Sequence, residues 1–153
     1  MEVIFAALCQ DTLLDRDSNT FSLIKVIEEI GIPTALPESG PTQSTDDKRR
    51  LSPGNFSMVI WWARTDESTP ERGRGRIRVV LPDGKEPLSP EIDVDLSTFL
   101  RLRYVMHFPG LPEGGPGTYF FVVEYKSGAE QWAEKFRYPL RVTIGPPTMP
   151  GRE

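Results

Sequence analysis

Residues 100–108, Leu100-Arg101-Leu102-Arg103-Tyr104-Val105-Met106-His107-Phe108, decide the fold class. Leu100, Leu102, Tyr104, Met106 and Phe108 occupy every second position, with Arg101, Arg103, Val105 and His107 between them. A period of two belongs to an extended chain, whose successive side chains point to opposite faces of a sheet. The same period recurs on both sides of this stretch. Toward the C-terminus, Tyr119, Phe121, Val123 and Tyr125 follow the turn-rich run Leu111 to Gly117, and Phe136, Tyr138, Leu140, Val142 and Ile144 follow Ser127-Gly128. Toward the N-terminus, Ile77, Val79 and Leu81 alternate with Arg74, Arg76 and Arg78, and Leu81-Pro82-Asp83-Gly84-Lys85 carries turn chemistry. Phe56, Met58, Ile60 and Trp62 share one face of a further strand while Val59 and Trp61 take the other, which predicts a central strand covered on both sides.

Farther out the pattern loosens. Residues 2–9 read as a buried strand, Asp11 to Asn19 as polar with a turn at Asp15 to Asn19, and Phe21 to Ile30 as a strand buried on both sides. A helix from Ser22 competes for that last segment, because Leu23, Val26, Ile27 and Ile30 also fit the helical spacing. Residues 31–53, rich in Pro, Ser and Thr, predict a long loop suited to recognition, and residues 145–153 predict a tail. With 15 prolines and 13 glycines in 153 residues, the composition argues against a helical bundle and for strands joined by many turns. The expectation is one all-β domain over residues 1–144. It is a two-layer antiparallel β-sandwich of immunoglobulin-like type with about seven to eight strands, and a barrel is the competing closure. Its core is expected to include Ile60, Val79, Leu102, Met106, Phe121, Val123, Leu140 and Val142.

Two resemblances bear on this expectation. Leu111-Pro112-Glu113-Gly114 followed by Gly117-Thr118-Tyr119 resembles the penultimate strand of immunoglobulin-like and fibronectin-like modules. That likeness implies that the Tyr119 hydroxyl returns to the backbone at a corner. The Cys and Trp pairing of antibody domains is missing, so the likeness concerns architecture. The order Val3-Ile4-Phe5-Ala6-Ala7-Leu8-Cys9, Ser22-Leu23-Ile24-Lys25-Val26-Ile27, the Leu-Pro-Asp-Gly turn and the Leu-Pro-x-Gly to Tyr119 strand is similar to an uncharacterised bacterial family of small cytoplasmic proteins. This likeness implies a fold and no catalytic residues, and residues 31–53 have no place in it.

Charge and composition narrow the function classes. A net charge of -4 supplies no global attraction to nucleic acid or anionic lipid. One cysteine and one histidine cannot make a zinc set, Cys9 reads as a small buried thiol, and His107 reads as a solvent-facing strand residue. No cofactor and no metal site is expected; Asp11, Asp15 and Asp17 are explained by turn chemistry without an ion. The short N-terminal apolar run, led by Glu2, predicts neither a signal peptide nor a membrane span, so a cytoplasmic protein is expected. Arg72-Gly73-Arg74-Gly75-Arg76 precedes no helix and is not a phosphate cradle.

Three features mark candidate binding residues. Arg74, Arg76 and Arg78 on one strand and Arg101 and Arg103 on another would form a basic plaque if those strands were neighbours, and cross-strand pairing with Asp93, Asp95, Glu124 or Glu134 is the alternative. Trp61 and Trp62 point to opposite faces, so one enters the core and the other meets a loop, the N-terminal segment or a partner. If the long loop covers one of these tryptophans, Leu36 or Leu51 would be its apolar anchor. The leading expectation is a non-enzymatic interaction module whose partner is another protein or a second copy. A carboxylate-dependent hydrolase and an anion- or nucleic-acid-binding sandwich are the competing classes.

Overall fold

A computed structural model describes residues 1–32, 50–51 and 54–145, with Arg50 and Leu51 described by backbone alone. The described residues contain strands and no helix. The strands are β1 (Glu2–Asp15), β2 (Thr20–Val26), β3 (Glu29–Ile32), β4 (Arg50–Leu51), β5 (Phe56–Ala63), β6 (Glu71–Val80), β7 (Glu91–Leu96), β8 (Arg101–Phe108), β9 (Leu111–Pro112), β10 (Gly117–Lys126) and β11 (Ala133–Ile144).

They form a four-stranded sheet A, ordered β2-β1-β5-β8, and a five-stranded sheet B, ordered β3-β11-β10-β6-β7, with β4 and β9 as a separate short pair. The two sheets meet across one apolar core, an arrangement consistent with a β-sandwich. Sheet A contributes Leu8, Met58, Ile60 and Trp62, and sheet B contributes Ile77, Val79, Phe121, Val123, Leu140 and Val142. Phe121 packs edge-on against both Phe56 and Phe108, with centroids 6.0 and 5.5 Å away. Six of the eight expected core residues are fully or almost fully buried. Leu102 and Met106 are only half-buried, because β8 is an edge strand and the core ends against it.

Glycines 73 and 75 explain the arginine-glycine repeat of β6. Both lie on the phase facing the core. A Cβ on Gly75 would stand 3.0 Å from the Trp62 ring, and one on Gly73 would stand 2.4 Å from the Tyr125 hydroxyl and the Lys126 carbonyl. The strand therefore gives up side chains inward to admit two large rings and keeps its arginines outward.

Several expectations are corrected. The antiparallel pattern is broken by β3, which pairs parallel to β11 because the chain crosses from the edge of sheet A to the edge of sheet B through Ile27 and Glu28. Asp11 to Asp15 continue β1 instead of forming a loop, because β2 pairs with them as a hairpin. That hairpin replaces the competing helix from Ser22. Its β2 strand is half-covered and not buried on both sides, with Val26 51% exposed. The predicted loop 31–53 is shorter at both ends, since Gly31 and Ile32 belong to β3, and Arg50 and Leu51 pair with Pro112 and Leu111. Leu36, with the rest of 33–49 and residues 52–53, lies outside the described residues. So does the expected tail after Gly145.

Candidate functional site

The two adjacent tryptophans separate as their alternation requires. Trp62 is fully buried beside Tyr125, with ring centroids 5.9 Å apart, so it is a core residue and offers nothing to a partner. Trp61 lies on the face of sheet A turned away from sheet B, in the lateral row Phe5, Trp61, Arg103. Phe5, 38% exposed, meets the Trp61 ring edge-on at 6.1 Å. The Arg103 guanidinium is 5.8 Å from the Trp61 ring centroid and 5.0 Å from that of Phe21, within the range of cation–π attraction. Its Nη2 donates to Asn19 Oδ1 at 2.8 Å. The Trp61 Nε1 is buried and has no acceptor among the described residues. At the same end of sheet A, where Ala63 pairs with Arg101, Leu100 and Phe99 are 47% and 63% exposed.

The Arg103 contacts locate the β1–β2 hairpin. Cys9 pairs with Ser57, four residues along β5 from Trp61, or about 13 Å at strand rise. A straight β1 would carry Asp15 about 20 Å past Cys9 in the opposite direction. Asn19 and Phe21, at the far end of that hairpin, nevertheless touch Arg103. The hairpin therefore folds back over the outer face of sheet A, the inner face being taken by sheet B. Burial agrees: Cys9 and Val59 are 0% exposed, Ser57 3% and Ala7 4%, although all four lie on the outer phase. Within the hairpin Lys25 has a φ of 53°, unusual for a side-chain-bearing residue, and lies between the register pairs Asp11–Ile24 and Cys9–Val26.

The arginines do not form the conditional plaque. Arg74, Arg76 and Arg78 belong to β6 in sheet B, whereas Arg101 and Arg103 belong to β8 in sheet A, so the two sets occupy different sheets. Alternation sets the face of a side chain but not the sheet that carries it. The β6 arginines are matched across the strands. Arg74 reaches Glu91 at 3.1 Å and Asp93 at 3.6 Å, Arg76 reaches Glu124 at 2.5 Å, and Arg78 reaches Glu124 at 3.0 Å and also Glu86. Glu124 is only 6% exposed, and two guanidiniums offset the cost of burying its charge. Trp132 lies against the same network, 4.2 Å from Arg76 and 4.4 Å from Lys126. Asp93 and Asp95 share the outer face of β7, and Asp95 pairs with Arg72 at 3.1 Å.

The sequence reading missed a second polar row on sheet A. Ser57 Oγ and His107 Nδ1 are 2.8 Å apart, with Cys9 on the other side of Ser57. Ser57 is covered while His107 is exposed, so the imidazole faces solvent as expected and also closes onto a buried hydroxyl. Only the register of β5 against β8 brings together two residues fifty positions apart. His107 also lines a cleft of about 770 Å³ with Leu88, Met106, Phe108 and prolines 87, 90, 109 and 112. Burial, and then Asp11, push the Cys9 thiol above its ordinary value, which is the behaviour of an unreactive buried thiol. The Asp15 carboxylate accepts from Ser18 Oγ at 2.6 Å and from the Asp17 amide at 2.9 Å, closing the hairpin turn.

Comparison with protein-family models, curated proteins and solved structures returned no match. No helix among the described residues is long and apolar enough to cross a membrane.

Proposed function

We propose that the chain is a non-enzymatic, cytoplasmic interaction module of immunoglobulin-like architecture that binds a protein partner at the end of sheet A marked by Phe5, Phe99 and Leu100. The observation that carries the reading is the Phe5, Trp61 and Arg103 row, continued at the same end by exposed Leu100 and Phe99. Aromatic and arginine side chains grouped together, here exposed Phe5, Phe99 and Leu100 beside half-buried Trp61 and Arg103, are the composition of binding hot spots. The architectural part draws on Tyr119, whose hydroxyl donates to the Gly115 carbonyl at 3.0 Å, the corner contact such modules use. The hydrolase reading draws less support, because Asp93 and Asp95 stand on a solvated face among arginines. The arginine-ladder reading is weakened by the carboxylate opposite each β6 arginine.

The test replaces exposed apolar groups while leaving the fold in place. Phe99→Ser with Leu100→Ser should keep the native denaturation midpoint and lose the protein partner that the unaltered chain recovers by cross-linking in the native host. Sedimentation of the pure protein would show whether that partner is a second copy. Recovery of the same partners by the double variant would overturn the reading.

A further inference from the structure

We infer that the β1–β2 hairpin is a hinged flap that opens over the outer face of sheet A and is latched shut by Arg103. This inference shares Trp61 and Arg103 with the partner reading, but it concerns an intramolecular motion that labelling and amide exchange of the pure protein test without any partner. Three observations combine. The hairpin folds back on the sheet, as the Arg103 contacts with Asn19 and Phe21 require, and Lys25 within it has a φ of 53°. Its distal end is tied down by Arg103, which bonds Asn19 and lies over Phe21 from the far edge strand. On the phase it covers lie Ala7, Cys9 and Val59 with the Ser57 hydroxyl, and at one side Trp61, whose indole N–H has no acceptor among the described residues. The flap's own grip is partial: Phe21, Leu23 and Ile24 are half-buried, whereas Leu13 and Leu14 are 58% and 51% exposed. An element with few buried apolar contacts and one polar anchor opens locally before the core does. The open state would present Ala7, Cys9 and Val59 beside the Ser57 hydroxyl and the Trp61 indole.

Cys9 is the single cysteine of the chain and is fully buried on the outer phase at the base of the hairpin, so its labelling by a small thiol reagent reads the opening. Arg103→Ala should raise the labelling rate about tenfold, because it removes a hydrogen bond and a stacked cation together. Arg101→Ala, two residues away on the same strand, should leave it unchanged. In low denaturant the labelling rate of the unaltered chain should be nearly constant, as expected of a local opening that exposes little surface. Amide exchange should show residues 11–24 opening as a group ahead of β6 and β10, and Arg103→Ala should accelerate that group alone. The proposal is overturned if Arg103→Ala leaves labelling unchanged. It is equally overturned if labelling follows the global unfolding constant, or if the hairpin amides exchange only with the core.

Discussion

At the scale of single residues, the informative positions are the glycines of β6. Neither Gly73 nor Gly75 has a left-handed backbone, so alanine is conformationally allowed at both and would restrict the unfolded chain, a gain of about 0.4–1 kcal/mol. Space decides the outcome. At Gly73 the added methyl would meet a backbone carbonyl at 2.4 Å, which cannot turn aside, whereas at Gly75 it meets only side chains, those of Trp62, Ile92 and Val94, at 3.0–3.1 Å. Gly73→Ala should cost about 1–3 kcal/mol of unfolding free energy and Gly75→Ala less than about 1 kcal/mol. Chemical denaturation of the two variants checks this, and a larger loss at Gly75 would contradict the packing described. The inward glycines and outward arginines were legible as alternation. That the glycines make room for particular rings was not, because Trp62 and Tyr125 are brought in by other strands.

At the scale of the element, each strand's position in its sheet sets what its side chains are worth. Leu140 on β11 is completely buried between β10 and β3, while Leu102 on β8 borders the open side of the core. Leu140→Ala should cost about 2–5 kcal/mol and Leu102→Ala markedly less, because a half-open site leaves a smaller enclosed cavity. Equal shifts in denaturation midpoint would mean that β8 is covered as fully as an interior strand. Alternation in residues 100–108 identified β8 as a strand with the correct inner face. It could not identify an edge, since edge and centre share a period. The hairpin of β1 and β2 was less legible still. Its polar first half looks like a loop, and its fold-back depends on Arg103 and Asn19, which are far apart in the chain.

At the scale of the whole molecule, the surface charges favour a broad stability plateau with opposite causes at its two ends. Asp15, Asp66 and Asp95 are held below the ordinary carboxylate value of 3.8, chiefly by hydrogen bonds from Ser18, Ser68 and Ser97. A depressed folded value means stability that is present above 3.8 and lost as pH falls below it. These groups are fully exposed, so the loss should shrink in added salt. Burial pushes the phenols of Tyr119, Tyr125 and Tyr138 above their ordinary 10.0. A raised folded value means stability that is complete below 10.0 and lost as pH climbs beyond it. Thermal melts across pH should therefore be flat between these limits, with the acid limb salt-sensitive and the alkaline limb accompanied by tyrosinate absorbance. A melting temperature that falls steadily from pH 8 to 6 would point to a titrating group outside this set. The parallel pair of β3 with β11 has a further consequence, for biosynthesis. Ile30 and Ile32 can find Val142 and Ile144 only when the last strand has been made. At ordinary translation speeds the wait is about 5–20 s. Throughout that interval the N-terminal strands leave the ribosome without their closing partner, so faithful assembly of this chain depends on keeping that edge from meeting another nascent chain first.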